Sequence, residues 1–280
     1  LEALADLDGA ELSHAEVPCQ GIGLNREYDR AAPPLEQVLR DDWQPAKPDL
    51  TDTTCHVLAV RSPGGVLRGF AGYFGCHPVV CCAATRYIHG DFPGVAVNQV
   101  ERDGKGVTGL FLQGAQGDVN SCVVHKPEPE ALLALDVVAG RFARSMRQGL
   151  AQARPLRVDR VAGVRLTRTF TRKPWDLDTL RGKLAESEAR LNHFEATDDT
   201  ILEGNRNLRM ETVYVLALRD LVARAERGVS LEPATEVHGI RIGPLALLGS
   251  PFETFQAIKN DVRSAARAPI PLVVSFVNDS

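Results

Sequence analysis

The sequence has no apolar run approaching the ~20 residues that a membrane-spanning helix requires. Neither sign of charge dominates: 32 Lys and Arg stand against 36 Asp and Glu, for a formal net charge of -4. There is no basic excess to follow a nucleic-acid backbone, and no like-charge block of the kind that forms a solvated tail. The opening LEALADLDGAEL lacks a basic start followed by an apolar core, so it does not read as a signal peptide. It begins at Leu1 rather than Met, and the expectation is a chain that is processed, trimmed or incomplete. The compartment stays open.

Several catalytic signatures are missing too. No Gly-x-Ser-x-Gly elbow is present, which removes the serine hydrolases of the α/β type. No His-Glu-x-x-His occurs, which removes the zincin proteases, and no Gly-Lys-Ser/Thr closes a phosphate-binding loop. The six cysteines, Cys19, Cys55, Cys76, Cys81, Cys82 and Cys122, contain no Cys-x-x-Cys pair. A cysteine-based structural zinc site is therefore not expected, and six in 280 residues is not a disulfide scaffold. They read as small residues of a crowded core.

What is present is ordinary for a globular chain: 44% hydrophobic and 24% charged residues, enough for one large domain or two small ones. No internal repeat or low-complexity tract appears. Residues 1–50 read as irregular, because Pro33, Pro34, Pro45 and Pro48 interrupt any regular element. VLAV at 57–60 and VLRGFAGYFGC at 66–76 flank SPGG and predict a hairpin, and GVTGLFLQ at 106–113 predicts another strand. Leu135, Val138, Phe142, Met146 and Leu150 recur at three or four and predict a helix, with Arg141, Arg144 and Arg147 between them. VRLTRTF at 164–170 predicts a strand. Two apolar helical stripes within 176–228 predict a helical hairpin. IRIGPLALLG at 240–249 and PLVVSFVN at 271–278 predict two strands joined by a helix at about 253–266. A β–helix–β unit at the end, and another around the 130–150 helix, point to an α/β fold: a mixed sheet flanked by helices, with a helical-hairpin insert.

Four segments carry side chains with chemistry. In GCHPVV, at 75–80, His77 stands where an apolar strand is stopped by Pro78, a position that suits either a zinc-ligating imidazole or a hydrogen-bonded structural histidine. In HGDFPG, at 89–94, Asp91 sits between glycines and can cap the helix predicted at 93–101 or orient a histidine. In FLQGAQGDVNS, at 111–121, a strand runs into small residues, then Asp118, Asn120 and Ser121; this is either a ligand-facing loop or a tight strand–helix connection. In GSPFETF, at 249–255, Glu253 follows a strand and opens a helix, where a carboxylate is also favoured by the helix dipole alone.

Taken in this order, the four segments resemble the N-terminal catalytic domain of neutral (alkaline, non-lysosomal) ceramidases and their broader bacterial relatives. LNREYDR, with Asn25 and Arg26, resembles that family's Asn-Arg stretch ahead of the first strands. The resemblance covers nearly the whole chain and is weakest in the 176–228 insert. It implies a single catalytic domain over 1–280, truncated at both ends. It also implies a Zn2+ cofactor held by two histidines, a glutamate and a tyrosine. His77 and Glu253 match two of these four, with Phe252 where the family usually has glycine. The second histidine belongs to a His-x-His stretch, which this chain lacks, and no tyrosine lies beyond Tyr214, where the fourth ligand would follow the last strand.

The family's catalytic serine directly after Gly-Asp-Val is Asn120 here, with Ser121 one place late, which weakens ceramide as the substrate more than it weakens the zinc chemistry. The resemblance thus implies hydrolysis of an amide (N-acyl) bond of a small or lipid-like substrate by metal-activated water. His77 and Glu253 would ligate the metal and Asp91 would orient a ligand. Asp118 and Asn120 would line the site, Asn120 offering its amide to a developing oxyanion. The 280-residue piece alone is expected to be inactive. The alternatives are a related zinc hydrolase of another amide or ester, or a metal-free binding module on the same fold.

Overall fold

The computed structural model describes residues 8–29, 33–81, 85, 87–171, 175–197, 205–232 and 234–278. Arg30, Cys82 and residues 198–204, on which part of the expected connection of the helical hairpin falls, lie outside these residues. Two compact units emerge, Leu1–Leu166 with Glu236–Ser280, and Thr167–Thr235.

The first unit is built on a five-stranded sheet. It comprises β1 (Glu11–Pro18), β3 (Thr54–Arg61), β4 (Leu67–Phe74), β5 (Thr108–Gln113) and the two-residue β7 (Arg154–Pro155), in the order β5-β4-β3-β1-β7. β3 and β4 form the antiparallel hairpin predicted across SPGG, whose Gly65 takes a left-handed φ of 81°. Alternation along β3 sends Cys55 and Val57 to one face and His56 and Leu58 to the other.

On the first face lies α3 (Glu128–Gln152). Its Leu135, Val138, Phe142 and Met146 pack against Val17, Val57 and Phe74, and α2 (Asp91–Glu101) completes this core through Phe92, Ala96 and Val100. The second core contains Leu58 and Tyr73 of this sheet with Leu245, Leu272 and Val274. The latter three come from a four-stranded sheet of β8 (Val161–Thr169), β9 (Ala234–Ile242), β10 (Leu245–Gly249) and β11 (Ile270–Val274), in the order β11-β10-β9-β8. α6 (Gln256–Ala265) joins β10 to its parallel neighbour β11. Two short strands, β2 (Gly23–Asn25) and β6 (Val119–Ser121), pair apart from both sheets; a one-turn α1 (Leu35–Val38) follows β2.

Several expectations need correcting. Within 1–50 the described residues are not all irregular: β1 lies inside the sheet between β3 and β7, because its alternating Ser13, Ala15 and Val17 face the core, and Pro33, Pro34, Pro45 and Pro48 fall beyond it. The run at 240–249 is two antiparallel strands, turned at Gly243 (φ 57°) and Pro244, with Ile242 opposite Leu245. The second β–helix–β unit is formed by β4, α2 and β5, with β4 and β5 parallel; α3 instead leads to β7. Arg141 is buried rather than on a polar face; its guanidinium donates to the carbonyls of Gly21, Val38 and Arg40.

The second unit holds α4 (Leu177–Thr197) and α5 (Asn205–Glu226). They run antiparallel, as the ion pairs Arg181–Glu226, Arg219–Glu188 and Arg190–Glu211 require.

Candidate functional site

β4 ends at Phe74, and the chain then passes through Gly75 and Cys76 to His77. Its parallel neighbour β5 delivers the loop 114–118 to the same edge of the sheet, where α/β sites form. Gly114 N donates to Phe74 O (2.9 Å), tying the two exits together. The backbone N–H of His77 donates to the carbonyl of Val119 (2.9 Å), and its ring Nδ1 meets that same oxygen at 3.2 Å. A carbonyl can only accept, so this contact requires the hydrogen on Nδ1 and leaves Nε2 of the neutral ring with a bare lone pair. Ser121 Oγ donates to His77 O at 2.7 Å. β6 therefore holds His77 from both sides, one strand position away from Asn120.

Glu253 arrives from the far end of the sequence. Its Oε2 lies 3.4 Å from His77 Nε2 and 3.6 Å from Arg26 Nη2. The His77 side chain is 12% exposed and that of Glu253 46%, so the pair is sheltered on the imidazole side and open on the other. Two acceptor atoms facing each other repel unless a proton or cation lies between them. Ligands of a tetrahedral ion with bonds of about 2.0–2.2 Å stand roughly 3.3–3.6 Å apart. A borderline-soft nitrogen and a carboxylate at that separation fit a zinc-type ion as part of its ligand set.

Asn25 is 1% exposed and its carboxamide is saturated: Nδ2 donates to Leu50 O and to Asp118 Oδ2, and Oδ1 accepts from the N–H groups of Glu27 and Tyr28. The fixed turn sends Arg26 Nη2 to the Gly117 carbonyl (2.5 Å) and to Glu253. Asp118 uses its other oxygen to accept from Gln256 N at 2.9 Å, at the start of α6. Its carboxylate thus ties the Asn-Arg turn to the Glu253 segment. Asn120, on the half-exposed side of β6, has no side-chain hydrogen bond among the described residues and is open to a ligand.

Asp91 is elsewhere. It adopts a left-handed φ of 49° and accepts from the N–H groups of Val80 (3.3 Å), Cys81 (3.0 Å) and Phe92 (2.8 Å), stitching the loop after His77 to the first turn of α2. Cys81, His89 and Asp91 offer ligand atoms within 4.8 Å of one another and could hold a metal ion. Here His89 Nδ1 accepts from Asp91 N at 3.0 Å. His89 and Cys81 were missed as a trio because they lie eight positions apart, with no ligand spacing between them. Gln256, Asp52 and Lys259 were missed as well; each stands in a segment whose pattern reports only burial.

No protein-family model matches this chain, and no curated protein matches it. Among solved structures, the neutral ceramidase from Pseudomonas aeruginosa aligns with 99% of this chain and 46% of its own, at a TM-score of 0.65 and 18% identity. A ceramidase complexed with C2 aligns with 99% and 48%, at 0.64 and 17%. The chain spans about half the length of these proteins and shares their fold.

Proposed function

We propose that this chain is the catalytic region of a zinc-dependent hydrolase that cleaves an amide (N-acyl) bond, with His77 and Glu253 as two of the metal ligands. The observation that carries this reading is the 3.4 Å approach of His77 Nε2 to Glu253 Oε2 while Nδ1 is held by the Val119 carbonyl. The ceramidase fold supports it. The two structural units then belong to one catalytic domain, 1–280, with residues 176–228 as its helical insert.

Zinc, when bound, supplies a Lewis acid that polarises a carbonyl and acidifies a water molecule. The protein's own groups supply the rest. Val119 fixes the tautomer of the neutral His77 ring and aims its Nε2 lone pair at the metal position. Arg26, 3.6 Å from Glu253, holds that carboxylate and keeps positive charge beside the opening. Asn120 offers a neutral amide donor where the family's serine would stand, which favours an amide other than ceramide. Asp118 and Asp91 hold the loops that carry these groups.

The test is hydrolysis of a panel of N-acyl compounds and matched esters by the intact natural chain, followed by mass spectrometry, with and without zinc chelation. Expected are amide cleavage lost on chelation and restored by Zn2+, and a fall of about 10²-fold in turnover for Asn120→Ala. Chelation that leaves turnover unchanged would sink the zinc reading; cleavage of esters alone would replace amide with ester as the substrate class.

A further inference from the structure

Glu253 lies in the loop between β10 and α6, and a loop by itself does not hold a carboxylate to the tolerance that a ligand pair needs. The constraint lies beneath it. Gln256, the first residue of α6, is 4% exposed. Its Nε2 donates to the Ala115 carbonyl at 2.6 Å and to that of Gly75 at 3.5 Å, while its backbone N–H donates to Asp118. One turn further along α6, Lys259 is paired with Asp52 at 3.3 Å, both side chains 5% exposed.

These groups converge on Gly75, two residues before His77. A Cβ there would stand 2.5 Å from Ala115 O, 2.8 Å from Asp52 Oδ2 and 2.9 Å from Gln256 Nε2. Only glycine permits the approach. Gln256 therefore touches the strand exit that carries His77 and the loop that carries Asp118, and its own backbone carries Glu253 three residues earlier. Packing alone does not explain a glutamine here. Among the described residues its Oε1 has no hydrogen-bond partner, and an apolar side chain of the same size would fill the space without burying an unpaired oxygen.

We propose that Gln256 is a positioning residue that sets the register of Glu253 against His77 by clamping the start of α6 onto Gly75 and Ala115, with the Lys259–Asp52 pair holding the next helical turn. This rests on His77 and Glu253 acting as a metal pair. The test is the Zn2+ affinity of the intact natural chain, by competition with a chromophoric chelator, in Gln256→Met, His77→Ala and the double variant. Thermal unfolding is recorded for each under excess chelator.

Gln256→Met is expected to weaken zinc binding about tenfold, in the manner of residues that orient ligands. In the His77→Ala background the same substitution is expected to change zinc affinity little, while its cost in thermal stability persists. A merely structural glutamine would move the unfolding temperature and not the coupling. Unchanged affinity in Gln256→Met, or an equal loss in both backgrounds, overturns the proposal while leaving the metal pair intact. If His77→Ala itself leaves zinc affinity unchanged, the metal pair falls and the proposal with it. Should Gln256→Met not fold, Gln256→Glu, which sets an acceptor against the two carbonyls, is measured in its place; loss of the fold in both overturns the proposal.

Discussion

His56 is 2% exposed, stacks on His14 with ring centroids 5.4 Å apart and shares a 3.1 Å contact from its Nδ1 to His14 Nε2. Burial first, then the neighbouring His14, pushes its pKa down to about 3 from the ordinary 6.5. As pH falls the unfolded chain takes up this proton before the folded chain does. Stability that is fully present above pH ~6.5 is therefore lost below it, by up to about 1.4 kcal/mol per pH unit, down to about pH 3. His56→Gln removes the titration. In urea unfolding at pH 7.5 and pH 5.0, wild type should lose about 2 kcal/mol more than the variant over that interval. Equal losses would mean that His56 is protonated in the folded state.

At this same scale the sequence was partly legible. His77 and Glu253 stand out as polar residues just past apolar strands, and the structure brings them within 3.4 Å. Gln256 did not stand out, because a glutamine at a helix start carries no pattern; its role exists only once Gly75 and Ala115 are folded against it.

Among the elements, helices and hairpins with strong periodicity were readable: the β3–β4 hairpin, α3, and the antiparallel pair α4 and α5. β1 was obscured because Pro33, Pro34, Pro45 and Pro48 made the whole of 1–50 read as irregular, and its place in the sheet comes from pairing with β3, a long-range contact that no local pattern encodes. The β9–β10 turn was hidden because Gly243 and Pro244 interrupt a run that is apolar on both sides. α3 gives the clearest case of a misread residue. Arg141 falls among other arginines at surface-like spacing, yet it donates to three carbonyls, those of Gly21, Val38 and Arg40. Arg141→Met should cost about 3 kcal/mol in urea unfolding, because three charge-assisted hydrogen bonds are lost. Arg141→Lys should recover little of it, since one ammonium lacks the guanidinium fork. A loss below about 1 kcal/mol would mean that water replaces the guanidinium.

For the molecule as a whole, the ceramidase-like fold covers 99% of this chain at 18% identity. Identity that low leaves the chemistry to be argued from side chains, and two clusters compete for a metal: the His77–Glu253 pair at the edge of the five-stranded sheet, and Cys81, His89 and Asp91 at the start of α2. The first sets a lone pair and a carboxylate face to face with room for a cation between them; the second spends His89 Nδ1 and both Asp91 oxygens on backbone N–H groups. The most direct test is anomalous diffraction at the zinc edge from crystals of the zinc-loaded natural chain. The account predicts a peak bonded to His77 Nε2 and Glu253 Oε2 at about 2.0–2.2 Å. A peak at Cys81, His89 and Asp91 with none at His77, or no peak at either place, would contradict it.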